Sequence, residues 1–136
     1  MMRRAYAALW AIAMMSPASA QTRITPEAFL DAATGKTLSF YEIETGELVG
    51  VEQFLNRSLS VWKEPGQPCV YGKITTPEGR ICFEYDNRPE RPPVCWWPFA
   101  RGDRLMVRLD VFLNAEIQEV RSITNEGIAC PNAPTS

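Results

Sequence analysis

From residue 37 onward, apolar and polar positions alternate with a period of two, in short runs separated by turn residues. Period two is the mark of a strand that buries one face. The alternation is clearest at 104–112, where Leu105, Val107, Leu109 and Val111 share one face and Arg104, Arg108 and Asp110 the other. Further runs lie at 37–43, 47–55, 58–63, 69–75, 80–85, 94–99 and 116–123. Between them stand Thr45-Gly46, Pro65-Gly66, Pro77-Glu78-Gly79, Asp86-Asn87-Arg88-Pro89 and Arg101-Gly102-Asp103, all residues that favour chain reversal. The fold class predicted is mainly β: an antiparallel meander of about eight strands, closing as a small barrel. The runs at 37–43 and 116–123 alternate poorly, which predicts a bulge or an edge position.

The chain before residue 37 has a different pattern. Thr25 suits a helix cap, Pro26 the first helical position, Glu27 the positive end of the helix dipole, and Gly35 a stop. One short N-terminal helix is predicted, preceded by a lead-in at 21–24. So short a helix is not stable alone, and Phe29 and Leu30 must dock, plugging or leaning on one end of the barrel.

Upstream again, residues 1–4 are basic, 5–15 are apolar and uncharged, Ser16-Pro17 interrupts, and Ala18-Ser19-Ala20 offers small residues to a signal peptidase. Residues 1–20 therefore read as a cleaved secretory signal, and 21–136 as a single disulfide-bonded β domain. An uncleaved anchor would need about 20 apolar residues, more than this run supplies. No later stretch is long enough, so no membrane span is expected in the mature protein. The form of the leader points to a bacterial periplasm or the exterior. Residues 131–136 read as a loose tail.

The four cysteines agree with export. Cys69, Cys82, Cys95 and Cys130 are an even set in a small exported chain, which predicts two disulfides. A four-thiolate zinc site would bring its ligands in close pairs, and a redox-active pair would call for C-x-x-C; neither spacing is present. Strand parity places Cys82 outward with Arg80 and Glu84, and Cys95 outward beside Trp97, so these two can bridge one hairpin. Cys69 also points outward, leaving Cys69–Cys82 open. The preferred set is Cys82–Cys95 with Cys69–Cys130, the second tying down the C-terminal segment.

Composition narrows the chemistry. With 46% hydrophobic and 22% charged residues, the chain can pack a core and is not disordered throughout. Its net charge of −2 gives no footprint for nucleic acid. There is no histidine, which excludes a Ser-His-Asp triad, a Cys-His pair and His-ligated metals. No Ser-x-x-Lys, phosphate loop or calcium loop occurs, and neither a metal nor a cofactor is expected. Glu42, Glu44, Glu47 and Glu52 could in principle supply a hydrolytic carboxylate pair, but a solvated acidic face explains them equally well.

Parity also places Trp62, Tyr71, Trp97 and Phe99 on the non-core side, with Arg80 beside them. Such a stripe would bind sugar rings, a peptide or a protein partner, unless the helix or the C-terminal segment covers it. The proline-rich stretch at 88–93 reads as a stiff loop between bridged strands, or as a recognition loop. The leading expectation is a non-enzymatic binding module for a protein or glycan. A lipocalin-like carrier is the alternative, decided by whether Phe83, Tyr85, Trp96 and Leu105 fill the barrel. A small carboxylate-dependent hydrolase is the third.

Gly35-Lys36-Thr37 after a short helix, the run Gly-Arg-Ile-Cys-Phe-Glu-Tyr at 79–85, and Cys95-Trp96 carry a resemblance across residues 25–97. In these features the chain resembles small exported proteobacterial proteins of unknown function. The resemblance implies a periplasmic or envelope β domain and transfers no catalytic residue.

Overall fold

Each cluster of turn residues reverses the chain, so strands adjacent in sequence pair antiparallel. The computed structural model describes residues 20–130. Apart from Ala20 the expected leader lies outside these residues, as does the expected loose tail. The elements are β1 (Gln21–Arg23), α1 (Pro26–Ala33), β2 (Thr37–Glu42), β3 (Leu48–Phe54), β4 (Leu59–Lys63), β5 (Val70–Thr75), β6 (Ile81–Tyr85), β7 (Val94–Arg101), β8 (Arg104–Leu109) and β9 (Ile117–Thr124). Strands β2 to β9 pair in order, and β9 returns to β2, closing an eight-strand antiparallel barrel. The lead-in is itself an extra strand: β1 pairs with the end of β7.

The poorly alternating strand at 37–43 is bulged. The register of β2 shifts against β3 between Phe40 and Tyr41, and against β9 between Ser39 and Phe40. The strand expected at 104–112 ends at Leu109, and Val111 leaves the core face that parity gave it. Val111, Phe112 and Leu113 instead lie exposed in the following loop, Phe112 at 99%. Neighbouring strands offer no further pairing there, so alternation has nothing to bury.

Helix α1 forms as its caps dictate. The Ala28 N–H donates to Thr25 Oγ1 at 3.1 Å. Gly35 follows at φ +76°, a conformation that favours glycine. Its N–H donates to the Phe54 carbonyl, and the Phe54 N–H donates to the Lys36 carbonyl, which pins the end of the helix to the end of β3. The buried face of α1 is Pro26, Phe29, Leu30 and Ala33. Phe29 meets Phe54 edge-on with ring centres 5.9 Å apart, and Phe54 meets Phe83 at 6.2 Å. The helix thus caps one end of the barrel. Burying each of these large side chains stabilises by about 1.5–3 kcal/mol.

Both preferred bridges are present, Cys82–Cys95 and Cys69–Cys130, and no cysteine is free among the described residues. Cys82 and Cys95 stand opposite one another in register on β6 and β7. The other bridge ends a strap. Thr37 Oγ1 donates to the Glu126 carbonyl at 2.6 Å, and the Ile128 N–H donates to Gln53 Oε1 at 2.9 Å. Residues 126–130 therefore run from β2 across the outside of β3 to the segment before β5. Two disulfides suit an oxidising, extracytoplasmic environment. No helix among the described residues is long and apolar enough to cross a membrane.

Candidate functional site

With α1 at one end, the opposite end of the barrel is ringed by the loops 43–47, 64–69, 86–93 and 110–116. Between floor and rim lies a cavity of about 460 Å³. That is within the ~300–1,000 Å³ typical of small-molecule sites. Phe29 forms part of the floor, and Phe40, Trp62, Phe83, Tyr85 and Trp96 give the walls an aromatic lining. Glu64, Asn87, Arg88 and Glu116 stand at the mouth. The proline-rich stretch is therefore part of the rim.

Two glycines help to leave this space open. A Cβ on Gly50 would stand 2.5 Å from Trp62 Cζ2, and one on Gly72 would stand 2.8 Å from Ser60 Oγ and 3.0 Å from Tyr85 Cε1. The Trp62 and Tyr85 rings thus lie back against bare backbone on neighbouring strands, instead of filling the centre. The bulge opposite Phe40 and Tyr41 adds Val49 to the lining alongside Glu52, although the two differ in parity.

Glu52 is the unusual member of this wall. It is 2% exposed and lines the cavity. Tyr85 Oη donates to its Oε2 at 3.2 Å, while Oε1 is buried without a hydrogen-bond partner. On the next strand, Ser60 Oγ is likewise buried and makes no well-formed hydrogen bond, although it stands close enough to the Glu52 carboxyl to favour its charged form. Burial pushes the Glu52 carboxyl up to about 8; the Ser60 and Tyr85 hydroxyls pull weakly the other way. Burial, then the nearby Glu52 charge, drive the Tyr85 hydroxyl well above its ordinary value. Nearer the mouth, polar groups are better satisfied: Gln118 Nε2 donates to Glu116 Oε1 at 2.7 Å, and Trp62 Nε1 to Glu64 Oε1 at 3.2 Å.

The expected outer stripe does not assemble. Trp62 points into the barrel, where its ring meets Phe40 at 6.2 Å. Parity misplaced it because β4 is apolar on both faces. Val61, on the outer side in register with Gln53, is only 2% exposed where the strap crosses. Phe99 is 7% exposed and offers no free ring to a partner. Tyr71 is half-buried on β5, its hydroxyl enclosed. Arg80 and Trp97 do come together on the outside, but they are already engaged. Trp97 Nε1 donates to Asp110 Oδ1 at 3.0 Å, and Arg80 pairs with Asp110 at 2.8 Å. The Arg23 and Arg80 guanidinium groups lie 4.8 and 5.9 Å from the Trp97 ring centre. The Arg80 hydrogen bond, then that of Trp97, hold the Asp110 carboxyl below its usual range.

Of the early acidic residues, Glu42 serves its own turn. Its Oε2 accepts from the Thr45 N–H at 2.6 Å. Glu52 is the residue that sequence reasoning passed over, having grouped it with a solvated face. Its signal was parity shared with Phe54 and Gly50, outweighed by Val49 and Val51 in the opposite phase. Gly50 and Gly72, each inside a strand run, were the second missed signal.

No family model, curated protein or solved structure matches this chain.

Proposed function

We propose that this protein is a non-enzymatic carrier or receptor that encloses one small, largely apolar ligand inside the barrel. The observation that carries the reading is the cavity of about 460 Å³, closed below by α1 and open at four rim loops. Phe83, Tyr85 and Trp96 line this space rather than filling it. Docking of a protein or glycan on the outer face has less support, because Trp62 faces inward and the polar groups around Trp97 satisfy one another. The leader pattern, the two bridges and the resemblance to exported proteins support a bacterial periplasm or the exterior as its compartment.

The test uses a fluorescent apolar probe, N-phenylnaphthylamine, titrated into the mature protein. One-to-one binding with enhanced emission is expected. Leu109→Trp, which adds bulk to the wall, should weaken binding at least about tenfold while the protein stays folded. Absence of binding, or equal binding by the filled variant, sinks the reading.

A further inference from the structure

We propose that the ligand carries an amine, whose ammonium group pairs with Glu52 inside the aromatic wall. This rests on the enclosed-ligand reading above and names the ligand's chemical class.

The cavity has a defined chemical asymmetry. Its walls are apolar and aromatic, yet they bury one carboxyl whose Oε1 has no donor. Natural interiors rarely leave such an acceptor unsatisfied. An ammonium group supplies three donors and no acceptor, which suits the carboxylate that forms once Glu52 has given up its proton. The rings of Phe40, Trp62, Phe83, Tyr85 and Trp96 present π faces that attract a cation and repel an anion.

Charge at the entrance has the same sign. Glu64 and Glu116 line the mouth against a single cation there, Arg88. The other polar side chains lining the cavity, Gln67, Tyr85, Asn87 and Gln118, are neutral donors or acceptors. A carboxylate ligand would meet three acidic groups and one arginine. A neutral ligand would leave the carboxyl protonated and gain no ion pair with it.

The proton balance also favours an amine. Without a cationic partner, burial holds a proton on the Glu52 carboxyl up to a pH of about 8. A free-base amine entering the cavity takes that proton, so carboxylate and ammonium form together with no net charge carried inward. Such a pair, enclosed and hydrogen-bonded, is stronger than the same pair in water.

The test titrates three probes that differ only at their polar end, phenylbutylamine, phenylbutanol and phenylbutyrate, read by the emission of Trp62 and Trp96. The amine should bind at least about tenfold more tightly than the alcohol, and the carboxylate most weakly. Glu52→Gln should erase the preference, weakening the amine about tenfold while the alcohol changes little. If that variant does not fold, the wild-type amine-to-alcohol ratio decides: it should rise from about pH 6 to about pH 8 as the carboxyl gives up its proton more readily. Equal binding of amine and alcohol, or a preference for the carboxylate, overturns the amine assignment and leaves the enclosed-ligand reading intact. If none of the probes binds and N-phenylnaphthylamine does not bind either, both fall together.

Discussion

Two of the places where this molecule combines aromatic rings with charge differ in one respect. On the outside, Trp97, Arg80 and Asp110 satisfy one another: the indole and the guanidinium both donate to the same carboxylate. Inside, Glu52 has one oxygen held by Tyr85, while Oε1 makes no well-formed hydrogen bond and has only the nearby Ser60 hydroxyl to favour its charge, although it is the more deeply buried of the two acids. The contrast shows that residue type alone does not mark a binding site. An aromatic–ionic cluster whose hydrogen bonds are complete has none left for a ligand, whereas a buried group with an incomplete set is where a partner could gain one.

The largest effect expected lies at the floor. Phe29→Ala removes the ring that packs on Phe54, and should cost about 3–5 kcal/mol in urea unfolding. A loss below about 1 kcal/mol would mean that α1 does not close the barrel. The next concerns Glu52. Its folded value is raised from 4.5 to about 8, so the folded state keeps a proton that the unfolded state has released. The stabilisation is full below the unfolded value, falls as pH rises towards the folded value, and is then gone. Between these limits stability should decline by about 1.4 kcal/mol per pH unit, and Glu52→Gln should flatten that slope. A wild-type protein equally stable at both limits would contradict the burial of this acid. The smallest effect belongs to the outer cluster. Arg80→Gln breaks a partly exposed pair and should cost under about 1 kcal/mol, with probe binding unchanged. A change in probe affinity would mean that the two clusters communicate.

Much of the framework could be read from the chain. The turn clusters set the meander, Thr25-Pro26 and Gly35 set the helix, and parity in the 80–85 and 94–99 runs placed Cys82 opposite Cys95. The site was far less legible, because parity works only where one face of a strand meets solvent. The strap hides the outer side of β4, so Val61 is buried there and Trp62 is free to turn inward. The bulge near Val49 breaks the phase of β3, and Glu52 looks like surface when Val49 and Val51 are taken as core. Residue 111 followed the apolar face of β8 in sequence but not in space, since the strand had already ended. Long-range cover and local register shifts leave no mark on a two-residue period.

The order in which the strands pair bears on how the barrel is completed during folding. Seven of its eight ladders join strands adjacent in sequence, each formed by a short hairpin. Only the seam between β2 and β9 is distant, bringing Ser39 to Ser122 across 83 residues. Chain entropy opposes that last meeting, and the search grows slower as the connecting path lengthens. The Cys69–Cys130 bridge offers a shortcut, because β9 ends just before Cys130 while β2 is much nearer to Cys69 than to β9 along the chain. Taking the shortcut roughly halves the path, and a twofold shorter loop eases closure by about 0.6 kcal/mol. A bridge oxidised before the seam closes would therefore do more than fasten a finished barrel: it would shorten the search for the one contact that turns a sheet into a closed ring.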